Sequence, residues 1–341
     1  MLEDYSFKYI LKLLSERIDH EDLGVGDLFD YFHKINKSKS DYSVKEKECT
    51  AVDAYRRNPY IPESYKKTIQ GFQKSHSYQV RYANWDIDLN IHSNDENIQE
   101  LLHHILGVLS FMTGFSVTNK KFGIHIYLTD YKKFVSKGNY TPEGINSGST
   151  DRVSILIWRK EDILKVLIHE MIHLLGFDAV EDGKGIVDHY NDRYDLGNKK
   201  LNIFEAYTEV WALLIHCYYI ATITHSSVRS GISLEELFFD YILIEKCWCN
   251  ELGGRILTLF RSGEDVDAHT NTMSYYVIKT EILNDLKGFM NLCRDPALSL
   301  KMDDNDRFLS YLKNLKKIEE VKMLKTKISS VMVINSLKIS Y

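Results

Sequence analysis

Ile163-Leu164-Lys165-Val166-Leu167-Ile168-His169-Glu170-Met171-Ile172-His173-Leu174-Leu175-Gly176 is the stretch whose reading decides the fold. Leu164, Leu167, Ile168, Met171, Ile172 and Leu175 recur at helical spacing, so residues 160–175 predict an apolar helix. Gly176 stands where such a helix is expected to stop. Immediately before it, Val153 to Trp158 is a short apolar run of strand character. Strand signals gathered before this helix and helical ones after it make the expected class α+β, a sheet-containing lobe followed by a helical one.

His169 and His173 are four residues apart, so they lie one helical turn apart on one face and both imidazoles can reach a single zinc ion. Glu170 follows the first histidine and can lean toward a metal-bound water as general base.

Upstream, Tyr78, Val80 and Tyr82 and then Trp85, Ile87, Leu89 and Ile91 alternate with polar residues, which predicts a pair of strands or one bent strand. Residues 97–112 predict a helix with Ile98, Leu101, Leu102, Ile105 and Leu109 on its stripe, and Phe122 to Leu128 a further strand. Residues 1–75 read as a charged helical extension. Residues 177–200 are polar, acidic and glycine-containing, too long for a plain loop, so they are functional or hold short elements. Beyond them helices are expected at 202–225, 233–249 and 273–291, with a basic final helix around Lys313 to Lys327 whose charges form a solvated face. Three segments follow: 1–75, 76–176 with the metal helix, and 177–341.

The chain has 341 residues, 27 % charged and 44 % hydrophobic, enough to bury a large core and too patterned for bulk disorder. Its 43 basic and 48 acidic residues give a net charge of -5, so no nucleic-acid partner is expected. No apolar run is long enough for a membrane span, and the start lacks a signal-peptide pattern. Five scattered cysteines, including Cys247-Trp248-Cys249, fit reduced thiols and an intracellular, cytoplasmic compartment. Only 4 prolines occur, and none lies between Pro142 and Pro296, so long helices run uninterrupted through the part that holds the metal motif.

A catalytic zinc keeps three protein ligands and one open position, so a third ligand is required. Glu205 and Glu209 share a face of the next helix, so one can bind metal while the other orients a ligand histidine. Asn202-Ile203-Phe204-Glu205 also fits a capping box. Asp178 and His189 are the other candidates. His173 to Asp178 resembles the start of the metzincin continuation, which would imply a third histidine at position 179, but that position is Ala179.

With His169-Glu170-x-x-His173 followed by Glu205 and Glu209, the chain resembles the zincin metallopeptidases over residues 77–220, and their gluzincin branch most. The resemblance implies that His169, His173 and Glu205 bind one zinc, that Glu170 is the base, and that Glu209 supports the ligands from behind. It also implies a mixed-sheet lobe carrying the active-site helix, followed by a mainly helical C-terminal lobe. The edge strand of that sheet would hold extended substrate, and Val153 to Trp158 is the candidate. In Asn146-Ser147-Gly148, Ile157-Trp158-Arg159-Lys160 and Ser274-Tyr275-Tyr276 the chain is also similar to uncharacterised zincin-like proteins of large DNA viruses.

Hydrolysis further needs a donor to the developing oxyanion. The polar segment Asp267 to Tyr276 offers Tyr275, or Tyr276, as phenol and His269 as imidazolium, and Asn146 and Ser147 are candidates to line a cleft. The expected function is zinc-dependent peptide-bond hydrolysis by metal-activated water, acting on a peptide or protein substrate. The alternative is a catalytically silent zincin-fold structural or interaction protein, for example a virion component.

Overall fold

The computed structural model describes residues 23–48, 54–95, 97–135, 146–178, 184–197, 201–227, 231–262, 271–294, 297–302, 304–321 and 328–329. In chain order the elements are α1 (Gly26–Lys37), β1 (Ser43–Lys47), α2 (Ala54–Arg57), α3 (Glu63–Gln70), β2 (Lys74–Arg81), β3 (Trp85–Ser93), α4 (Gln99–Thr113), β4 (Lys120–Tyr127), β5 (Phe134–Val135), β6 (Gly148–Thr150), β7 (Ser154–Ile157) and α5 (Ile163–Leu175). After them come α6 (Lys184–Tyr194), α7 (Phe204–Ser227), α8 (Leu234–Arg261), a π-helix (Met273–Ile278), α9 (Lys279–Asn284), α10 (Leu286–Leu292), α11 (Asn305–Asn314) and β8 (Ile328–Ser329). A mixed-sheet lobe thus precedes the helix that bears the histidines, and a largely helical lobe follows it. The chain divides into two compact units, one of residues 32–132 and 146–176 and the other dominated by residues 177–339.

In the first unit six strands are ordered β1-β2-β3-β4-β7-β6. The β1-β2-β3 pairings are antiparallel, β3-β4-β7 are parallel, and β6 returns antiparallel to β7. Directly paired residues share a face of a sheet. Ile91, Ile126, Ile157 and Gly148 therefore form one row. Gly148 lies against Val166 and Glu170, so α5 packs on that face. Ile87, Leu89, Ile91, Ile124, Ile126, Ile155 and Ile157 are all fully buried. At about 1.5–3 kcal/mol per buried aliphatic side chain, this layer alone is a large share of what holds the unit together.

The candidate edge strand is corrected by this topology. Ser154–Ile157 is paired on both sides, by β4 and β6, and the edge beside α5 is the three-residue strand Gly148–Thr150. A run of four apolar residues reads the same whether it is an edge or an interior strand, and a three-residue strand of Gly, Ser and Thr has no periodicity to detect.

The opposite face is polar over much of its width. Ser77 Oγ donates to Asn90 Oδ1 at 2.7 Å, the Asn90 amide meets His125 Nδ1 at 3.4 Å, and Ser75 Oγ is hydrogen-bonded to His92 Nδ1 at 2.7 Å. Beyond them, Tyr127, Leu156 and Trp158 pack with Tyr55, Tyr65 and Ile69 of α2 and α3. Burial, and then the neighbouring His125, lower the His92 pKa to about 4. An unfolded histidine titrates near 6.5. Between these values the unfolded chain binds a proton that the folded chain does not, so stability falls as pH drops from 6.5 to 4. Allowing for residual solvent screening, the His92 contribution is about 2 kcal/mol. The fall in melting temperature between pH 7 and pH 4 should be smaller in His92→Asn than in the wild type. Equal falls would contradict this assignment.

The second unit centres on α7, which is buried around nearly its whole circumference from Phe204 to Ala221. An all-round apolar helix belongs in an interior, and α8, the π-helix and α9 pack around it. Among the described residues no helix is long and apolar enough to cross a membrane.

α8 runs through Gly253 and Gly254, well beyond the expected end at 249, because both glycines meet close neighbours. A Cβ at Gly253 would stand 2.9 Å from the Tyr276 carbonyl, and one at Gly254 2.7 Å from that of Glu319. The polar 177–200 stretch contains α6, fastened by Tyr190, Tyr194 and Arg193 to the buried Glu281 carboxylate of α9.

Two helical expectations change. Residues 273–291 break at Asp285, whose carboxylate caps α10 through the Gly288 N–H. The basic C-terminal helix stops at Asn314, and Val321 then donates from its backbone to the Gly254 carbonyl. Of the described cysteines, Cys217, Cys247, Cys249 and Cys293 are in no disulfide.

Candidate metal centre

Helix α5 is apolar enough to be buried on almost every side, so its polar residues are held in the interior with it. Gly176 ends it in the left-handed conformation at φ +69°, returning its N–H to the His173 carbonyl. A residue with a Cβ is strained at such a φ, which accounts for glycine there.

His169 and His173 project from one face, and His169 is 7 % exposed. Their Nε2 atoms are 3.0 Å apart, with the rings 4.7 Å apart and inclined at 77°. Each of these residues and Glu205 offers a ligand atom, and the three atoms lie within 4.8 Å of one another. Two imidazole nitrogens and a carboxylate oxygen are a zinc-type donor set. In a tetrahedral site with metal–ligand bonds near 2.0–2.1 Å, ligand atoms are about 3.3–3.4 Å apart. The 3.0 Å between the histidine nitrogens is close to that value and the carboxylate oxygen lies within 4.8 Å of both, so the side chains present fit a single metal ion. His169-Glu170-x-x-His173 with the distal Glu205 matches the zincin motif in which two histidines and a later glutamate are the ligands.

Glu205 sits in the first turn of α7. Its Oε1 accepts a hydrogen bond from the Asn271 amide at 3.2 Å and one from the Asn202 amide at 3.4 Å. The capping-box pair Asn202 and Glu205 is therefore joined side chain to side chain. Glu209, one turn later, is paired with the buried ammonium of Lys279 at 3.4 Å and is not one of the three clustered residues. Burial alone would lower the Lys279 pKa, but Cys249, Glu209, Tyr276 and Glu245 outweigh it and raise the value. Asp178 accepts from the Thr208 hydroxyl at 3.2 Å, and His189 lies on α6, so neither joins the cluster.

Glu170 is 5 % exposed. A Cβ on Gly148 would stand 2.6 Å from its Oε1, so the backbone of the edge strand runs directly beside this carboxylate. Ser147 is buried, and its carbonyl accepts the Trp158 N–H at 2.9 Å in a strand-like pairing. Tyr275 is half-buried on the π-helix and donates from its backbone to the Asn271 carbonyl at 2.9 Å. Tyr276 is buried, with the Lys279 ammonium 5.6 Å from its ring centre. His269 lies outside the described residues.

Asn271 and Lys279 are the residues that sequence reading passed over. Asn271 lies inside the polar segment noticed for its donors, and Lys279 is a charge directly after the apolar run Tyr276-Val277-Ile278.

No family model matches the chain, and no solved structure matches it. It is similar to Uncharacterized protein R210 of Acanthamoeba polyphaga mimivirus, 29 % identical over a 193-residue alignment that covers 49 % of this chain and 48 % of that protein. The chain thus spans about half the length of the curated relative that it matches. This similarity accords with the viral resemblance seen in the sequence.

Proposed function

We propose that this chain is a zinc-dependent peptidase that binds one zinc ion at His169, His173 and Glu205 and cleaves peptide or protein substrates. The observation that carries the reading is the convergence of these three ligand atoms next to the buried Glu170, whose backbone position in the motif puts it beside the first ligand. A closed structural site has no need of such a carboxylate. When bound, zinc would supply Lewis-acid polarisation of the carbonyl and a lowered pKa for water.

The protein's own groups account for the rest. Among the described residues β6 is paired with β7 on one side only, so its outer edge is suited to an extended peptide that adds as a further strand. Glu170 takes a proton from the attacking water and delivers it to the leaving amine as the C–N bond breaks. Tyr275, or His269, is the proposed donor to the oxyanion. The near-neutral charge balance favours peptide over nucleic acid as substrate, and the absence of disulfides among the described cysteines agrees with a reducing compartment, whether a cytoplasm or a virus assembled in one.

The test is incubation of the zinc-loaded protein with a proteome-derived peptide library, with mass-spectrometric readout. Cleavage that a chelator abolishes supports the reading. Stoichiometric zinc without cleavage of library peptides or folded proteins overturns it, and leaves the silent scaffold.

The close approach of β6 to Glu170 gives a second expected result. Gly148→Ala places a methyl group against Oε1 and Val166, and displacing a base by about 1 Å costs on the order of 10²-fold in kcat. Zinc stoichiometry should be unchanged in this variant. A fully active Gly148→Ala enzyme would show that Glu170 does not work from this position.

A further inference from the structure

We propose that Asn271, assisted by Asn202, is a positioning residue that aims the Glu205 carboxylate at the metal. The inference rests on the metal-site reading and does not require that the protein cleave peptides.

Glu205 and Glu209 lie one turn apart on α7 and carry the same chemical group, yet the fold gives them different company. Glu209 is met by the Lys279 ammonium, which neutralises it. Glu205 is met at Oε1 by two neutral amides, Asn271 at 3.2 Å and Asn202 at 3.4 Å. An ammonium or guanidinium at that place would compete with a cation for the carboxylate. An amide N–H orients the group and adds no positive charge of its own to compete with the metal. Both donors approach the same oxygen, so they fix the rotation of the carboxylate and not merely its position.

The amides are themselves held by one piece of backbone. Asn271 leads into the π-helix and its carbonyl accepts the Tyr275 N–H at 2.9 Å. Ser274, on the same turn, donates its hydroxyl to the Asn202 carbonyl at 2.5 Å. The π-helix therefore connects to Glu205 by two routes, directly through Asn271 and through Ser274 and Asn202. Inserted π turns are frequent where a side chain must be re-aimed for function, and this one spans Met273–Ile278. The polar segment that the sequence offers as a source of oxyanion donors thus has a second use, the orientation of a ligand.

The experiment measures zinc affinity by competition with a chromophoric chelator. Asn271→Leu keeps the branched shape and removes both N–H donors of the amide, and it should weaken zinc binding by about 10–100-fold. Asn202→Ala, at an exposed position where folding is not at issue, should weaken it in the same direction by less. Because Asn271 acts through Glu205, adding Asn271→Leu to Glu205→Ala should produce no further loss. An unchanged affinity in Asn271→Leu and Asn202→Ala overturns the inference while the metal site stands. An equal loss from Asn271→Leu with and without Glu205 also overturns it, since that is the signature of a general structural role. A wild-type protein that takes up no zinc overturns both the metal site and this inference.

Discussion

Glutamine at position 170 is expected to leave one zinc per chain in place and to lower peptide cleavage by about 10²–10⁴-fold, the range over which a positioned general base acts. The substitution conserves shape, and shape matters at this position. The side chain is 5 % exposed, with Oε1 against the edge-strand backbone at Gly148, where there is no room for a bulkier group. The amide keeps that packing and has no basic lone pair with which to accept a proton from water. Substrate binding should change little, because Glu170 is asked to act on the water and the leaving amine and not on the ground-state peptide. The expected pattern is therefore a fall in kcat with KM and zinc content nearly unchanged. A Glu170→Gln protein that cleaves peptides at the wild-type rate would remove the glutamate from the chemistry.

His169→Ala should instead abolish the metal site. Structural zinc sites are worth about 10–16 kcal/mol, or about 3 kcal/mol when shared over four ligands, so the loss of one imidazole should weaken zinc by at least about 10²-fold. His173 alone and Glu205 would then remain of the cluster. Zinc bound at this centre to the folded chain should raise the melting temperature of the wild type. That increment should disappear in His169→Ala, and with it any peptide cleavage. Both are read by titrating zinc into metal-free protein and following the unfolding transition. A variant stabilised by zinc as strongly as the wild type would place the metal elsewhere.

Much of the first unit was legible from local pattern. The alternation through Tyr78 to Ile91 became the β2–β3 pair, and the apolar residues at helical spacing around His169 became α5, because each carries its own periodic apolar pattern. The histidines and Glu170 were legible for the same reason, since a spacing of four on a helix fixes geometry without tertiary information. Glu205 was readable as a candidate and not as a choice. Its distinction from Glu209 depends on Asn271 and Lys279, and both lie far along the chain.

Other features depend on pairing or packing that no window of sequence contains. The short β6 is a strand only because β7 pairs with it. The helix across Gly253 and Gly254 continues because Tyr276 and Glu319 press on it, whereas glycine pairs ordinarily signal an end. Asp285 interrupts an apolar helical run by capping the next helix.

The proposed centre is one zinc ion held by His169, His173 and Glu205 with a coordination position left open. The measurement that addresses it directly is a crystal structure of the zinc-loaded protein with data collected at the zinc absorption edge. A single strong anomalous peak per chain is expected, about 2.0–2.2 Å from Nε2 of both histidines and from a carboxylate oxygen of Glu205, with no fourth protein ligand. A peak away from His169 and His173, Glu209 or Asp178 standing in the place of Glu205, or a cysteine closing the fourth position would contradict it.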